Sequence, residues 1–230
     1  MRVVGVDGCP GGWVAIVYDM VELTLQARFH PSIVHVLDSN RDATKIGIDI
    51  PIGLNDEGPR LCDLAARKAI SPRGSSVFPA PHPRVLFEST YEDAKARSQD
   101  LTGKMLSKQA FNIRQKIAEV NWAMEWEDQN RVFEIHPEVS FWGLAGTPMK
   151  GPKDKPEGYE ERRAPLATAL GVSIWPRNVA FEVARPAQPD DLLDATVAAW
   201  TARRVAEGTA ERFPVDPPVD RRGLRMEIVY

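Results

Sequence analysis

Apolar residues fall along the chain in two rhythms. Over the first fifty residues they come in short runs closed by turn formers, the spacing of strands rather than helices. Strands are predicted over residues 2–6, 13–18, 21–29 and 45–50, the last stopped by Pro51 and Gly53. Gly8-Cys9-Pro10-Gly11-Gly12 reads as the turn between the first two. A short helix is predicted over 31–37, with Ser32 as its cap.

Beyond residue 59 the period lengthens. Helices are predicted over 60–70, 91–98, 107–126, 138–145, 159–170 and 189–207. In the third, Ile113, Ile117, Val120 and Met124 recur at helical spacing. The last has Pro189 at its start and Gly208 just past its end. Residues 71–83 and 149–158 read as loops, 131–135 as a strand, and the tail 225–230 as an edge strand. The picture is a single α/β domain over residues 1–230. It has a three-strand meander, two further parallel strands, and a helical insertion at about 54–128.

Composition narrows the class. The chain has 230 residues, 43% hydrophobic and 27% charged, as a globular protein does. No apolar run approaches the ~18 residues of a membrane span, and Met1–Asp7 carries no signal-peptide core, so a cytoplasmic location without membrane contact is expected. Cys9 and Cys62 form no CxxC pair, so no disulfide and no cysteine zinc site is expected. The net charge of −3 is unevenly spread. Residues 59–116 hold eleven basic and five acidic side chains, a net +6 that leaves −9 elsewhere. A basic stretch in an acidic frame suits an anion held beside a carboxylate centre.

The acids carry the chemistry. Asp7 ends the first strand, Asp49 the fourth, and Glu134 lies in the fifth. If the first, fourth and fifth strands are parallel neighbours, these three share the carboxyl edge of the sheet. Asp191 and Asp194 lie one turn apart at the start of the last helix. So many carboxylates in one place require a cation, and an all-oxygen donor set favours Mg²⁺ or Mn²⁺. Metal ligands are therefore expected at Asp7, Asp49, Glu134, Asp191 and Asp194. Catalytic roles fall to Asp7, Asp49, Glu134 and Asp194, with His136 as a proton carrier. Arg67, Arg73, Ser75 and Ser76 are candidates to hold phosphate oxygens, and Gln109 and Lys116 form a polar stripe that can face the same cleft. Trp122 and Trp126 at i and i+4 read as core, with a homodimer patch as the alternative.

Five blocks in this order carry a family resemblance: Gly5-Val6-Asp7-Gly8 with Gly11-Gly12-Trp13; Asp49-Ile50-Pro51-Ile52-Gly53; Ser75-Ser76-Val77-Phe78; Glu134-Ile135-His136-Pro137-Glu138; and Asp190-Asp191-Leu192-Leu193-Asp194-Ala195. Over nearly its whole length the chain resembles a family of predicted nucleases with a ribonuclease H-like fold, formally domain of unknown function 429. The resemblance implies that fold and metal-dependent phosphodiester hydrolysis of nucleic acid or a nucleotide. It aligns Asp7 with the first-strand aspartate of the ribonuclease H superfamily. Asp191 and Asp194 are similar to the last-helix acids of its Holliday-junction resolvase branch. Two other readings stand beside the nuclease: a non-catalytic nucleic-acid-binding or scaffold module, and an ATP-dependent phosphotransferase sharing the fold core.

Overall fold

The structure is a computed structural model and describes residues 1–183 and 185–230. Its centre is one five-stranded mixed sheet built from β1 (Arg2–Cys9), β2 (Gly12–Asp19), β3 (Thr24–His30), β4 (Lys45–Ile48) and β5 (Val132–Glu134). Their spatial order is β3-β2-β1-β4-β5. The meander β1-β2-β3 is antiparallel, and β1, β4 and β5 run parallel.

β1 and β2 reach further toward each other than predicted. Cys9 pairs with Gly12, so the turn is Pro10-Gly11 alone. Gly11 has φ +78°, and a proline followed by a positive-φ glycine makes so tight a turn accessible.

Helices cover both faces of the sheet. On one lie α1 (Ile33–Ser39) and α4 (Lys108–Ala123), where Ile33, Val36, Ile117 and Val120 pack with Val4, Val6, Ile46 and Ile48. On the other lie α5 (Pro137–Ala145), α6 (Pro156–Leu170) and α8 (Pro189–Glu207), packed on Val3, Ile16, Tyr18, Phe133 and Ile135. Alternation along each strand thus splits the core into two apolar layers. Ser32 caps α1 as predicted, and α8 begins and ends at its predicted residues, with Gly208 at φ +73°. Between the core elements lie α2 (Leu61–Ala69) and α3 (Tyr91–Thr102).

The differences from the predicted elements have local causes. α4 stops at Ala123 because Met124 and Glu125 are extended. Trp122 points away from the sheet-facing stripe of α4 and is 65% exposed, stacked on Phe87 at 5.1 Å; Trp126 is 56% exposed. Neither is a core residue. A short helix, α7 (Arg177–Val183), was not predicted. The tail contributes only β7 (Ile228–Val229), which pairs with β6 (Arg212–Phe213) and touches the main sheet by one bridge, Ile135 to Val229. Cys9 and Cys62 are free and buried. No helix among the described residues is long and apolar enough to cross a membrane.

Candidate metal centre

The site begins with two glycines. Gly5 and Gly47 are register partners on β1 and β4, and both face α8. A Cβ on Gly5 would stand 2.0 Å from the Ala195 carbonyl oxygen, and one on Gly47 would stand 3.0 Å from that of Ala198. The bare backbone lets α8 lie directly on the strands, where alanines at 195, 198 and 199 face it. Two residues further along the same strands, on the same face, stand Asp7 and Asp49. The Asp49 N–H extends the ladder by donating to the Val6 carbonyl at 2.9 Å. Asp194, one turn inside α8, meets them there. Ligand oxygens of Asp7, Asp49 and Asp194 lie within 4.8 Å of one another.

This placement is electrostatically costly. Burial, then the charges of Asp49 and Asp194, hold the Asp7 carboxyl well above the usual range. Burial and Asp194 do the same to Asp49. Burial pushes Asp194 up to about 6, with the ammonium of Lys153 pulling against it. Lys153 reaches in from the 146–155 loop, ion-pairs with Asp194 and stands 3.8 Å from Asp190. Burial works against its charge, but Asp194 and Asp7 outweigh that and hold it protonated. The loop is anchored: Glu161 accepts hydrogen bonds from the Lys150 and Gly151 N–H groups, and buried Arg162, paired with Glu138, donates to the Gly151 carbonyl. One oxygen remains unanswered. Asp194 is 1% exposed, and its Oδ1 has no hydrogen-bond partner among the described residues.

Glu134 does not join this group. It is the register partner of Ile48, one residue short of Asp49, so its side chain emerges on the opposite face. There Arg60 grips it bidentately at 2.7 Å and 2.7 Å, and the Ile52 N–H donates to it at 2.7 Å. Arg60 also binds Asp63 and the carbonyls of Ile52 and Gly53. Burial pushes the Glu134 carboxyl upward while Arg60 pulls it down. Glu134 thus lines the cleft with both oxygens engaged by Arg60 and lies outside the three-aspartate group. Asp191 also stands outside the three-aspartate group: its carboxylate closes a capping box by accepting from the Gln188 N–H at 2.8 Å.

The aspartates open into a cleft of about 410 Å³ that Arg73, Ser76, Gln109, Lys116 and His136 also line. Lys116 donates to the Gly12 carbonyl and lies over the Trp13 ring at 4.3 Å. His136 Nε2 is 3.2 Å from the Ser76 carbonyl, so that nitrogen carries the proton. Burial lowers the basicity of the ring, leaving it neutral with its lone pair on Nδ1, a buried atom without a partner. Arg67 and Ser75 do not line the cleft. Arg67 braces the loop by donating to the Val77 carbonyl, and Ser75 is exposed.

Two cleft-lining residues escaped the sequence reading. Lys153 sits in a Lys/Pro/Gly loop indistinguishable from solvated surface. Arg60 meets Glu134 across 74 residues of chain. The only signal for either is charge balance: buried acids need cations from somewhere.

Comparison with curated proteins and with solved structures finds no match. The family described as protein of unknown function (DUF429) matches residues 5–219, and the chain belongs to that family.

Proposed function

We propose that the protein is a divalent-metal-dependent hydrolase of phosphodiester bonds, a nuclease on a ribonuclease H-like fold. The carrying observation is the Asp7–Asp49–Asp194 group with its orphaned Asp194 Oδ1. Three converging carboxylates, one with a buried unshared oxygen, fit a hard cation such as Mg²⁺ or Mn²⁺. The sheet order, a three-strand meander continued by two parallel strands, supports the fold assignment.

Asp7, Asp49 and Asp194 would hold the ion. Once bound, it would supply an activated water and neutralise charge at the phosphate. The chain's own side chains do the rest. Lys116 places a cation at the cleft wall beside Gly8. His136 offers Nδ1 as the acceptor for a proton leaving the attacking water. Apolar Ile50, Ile113 and Phe78 in the cleft lining limit water there.

The test is cleavage of labelled single strands, duplexes, hybrids and four-way junctions in Mg²⁺, Mn²⁺ or EDTA, beside Asp7→Asn and Asp194→Asn. The expected result is metal-dependent cutting that falls at least ~100-fold in both variants, since the ion is worth several kcal/mol at the transition state. Undiminished cutting by both variants, or in EDTA, would sink the proposal. Metal binding without cutting of any substrate would favour the scaffold reading. Stabilisation by Mg-ATP at millimolar concentration would favour the phosphotransferase.

A further inference from the structure

Four cations line the cleft: Arg60, Arg73, Lys116 and Lys153. Three are engaged. Arg60 holds Glu134 and Asp63, Lys116 holds the Gly12 carbonyl, and Lys153 holds Asp194. The Arg73 guanidinium has no carboxylate or carbonyl partner among the described residues, and its Nε is shut off from solvent. The residue is half-buried, and that buried Nε–H is a donor with nothing in the protein to donate to, which is costly to keep.

The backbone beneath it is built to hold it there. Arg73 opens a single 3₁₀ turn, residues 73–76. Its N–H donates to the Ile70 carbonyl at 2.8 Å, and its own carbonyl accepts from the Ser76 hydroxyl at 2.7 Å. Val77 N–H returns to the Gly74 carbonyl at 3.2 Å, while Arg67 clamps Val77 from outside. A Cβ on Gly74 would stand 2.5 Å from the Arg67 carbonyl oxygen, so the turn lies directly on α2. The backbone that carries Arg73 is thus pinned, and the side chain lines the same cleft as the aspartates.

The cleft is therefore bipolar: the aspartates call for a cation, and Arg73 calls for an anion. We propose that Arg73 is a second-phosphate subsite. The substrate carries two phosphates, one at the aspartates and one received by the Arg73 fork. The first placement rests on the hydrolase reading; the second does not. A volume of about 410 Å³ admits one nucleotide with its two phosphates, either a free bisphosphorylated nucleoside or a nucleotide within a strand, and the arms of the experiment distinguish the two.

The experiment is calorimetry on wild type, Arg73→Gln and Arg73→Lys. Ca²⁺ is titrated alone first, then thymidine 5′-monophosphate, thymidine 3′,5′-bisphosphate and an octathymidylate in Ca²⁺ and in EDTA. In wild type the bisphosphate binds roughly tenfold tighter than the monophosphate, as a charge-assisted bidentate contact would give. The preference disappears in Arg73→Gln and is partly kept in Arg73→Lys. A preference unchanged in Arg73→Gln overturns the subsite. Arg73-dependent octathymidylate binding as tight as that of the bisphosphate upholds the subsite and moves its source to a strand. Absence of Ca²⁺ binding overturns the metal reading alone, since the Arg73-dependent preference is still measurable in EDTA.

Discussion

Glu134 and Asp49 stand on neighbouring strands at one sheet edge, one residue apart in register, and their surroundings differ completely. Around Glu134 every charge is answered: Arg60 grips both carboxylate oxygens, and Asp63 takes the rest of the guanidinium. Around Asp49 three carboxylates crowd together with one ammonium, and a buried Asp194 oxygen goes without a partner. Both groups are buried acids with a cation. The first is closed and the second is open. What separates the two groups is whether the hydrogen-bonding capacity has been used up.

The sharpest way to break this contrast is to remove one member from each group. Glu134→Ala leaves Arg60 with Asp63 as its remaining carboxylate and strips the buried Ile52 N–H of its acceptor, a loss of about 3–5 kcal/mol in all. In a chain of this size that lowers Tm by roughly 10 °C. Asp194→Asn in EDTA relieves repulsion and leaves Tm level or higher. Thermal melts of both variants settle it, and an Asp194→Asn protein that melts as early as Glu134→Ala would erase the distinction.

A smaller effect should appear with pH. The Asp194 carboxyl rises from its ordinary 3.8 to about 6 on folding, mainly through burial. The folded metal-free chain therefore holds a proton there that the unfolded chain has released. This stabilisation is fully present below pH ~4 and is lost as pH rises through about 6, on the order of 3 kcal/mol for this group. Asp7 and Asp49 shift the same way, and burial pushes Glu134 up to about 7, so the Mn²⁺-sensitive part of the profile, not its whole slope, reports the aspartates. Urea unfolding in EDTA should show stability falling from pH ~4.5 to ~7, and saturating Mn²⁺ should restore it at the upper end. A profile that is flat in EDTA and unmoved by Mn²⁺ would count against the open group.

The smallest expected change tests how the open group is assembled. Gly5→Ala forces α8 off β1, at a cost of about 1–3 kcal/mol. It should also weaken Ca²⁺ binding, because Asp194 moves with the helix. A stability loss with unchanged Ca²⁺ affinity would mean that the helix–strand distance does not set the cluster.

Much of this was legible in the sequence. Apolar runs and turn residues placed all five sheet strands, and proline and glycine bracketed α8 at both ends. Asp7 and Asp49 were readable as acids at strand ends, and Asp194 as an acid inside an otherwise apolar helix. The separation of Glu134 from the aspartates was not legible, because a position near a strand end does not reveal which face its side chain takes. That depends on register, and pairing it with Ile48 turned it away from the aspartates. Arg67 misled because a basic residue near a phosphate-like loop can equally well tie the loop down. Lys153 was invisible because its partners lie about forty residues downstream, and only the packing of the 146–155 loop over α8 joins them.

The alanine face of α8 has a dynamic consequence. Asp194 is carried by the helix that rests on the middle of the sheet, with Ala195, Val197, Ala198 and Ala199 wholly buried. Amides in its buried turns should therefore exchange with solvent only close to global unfolding, and Asp194 should keep its place against the sheet until then.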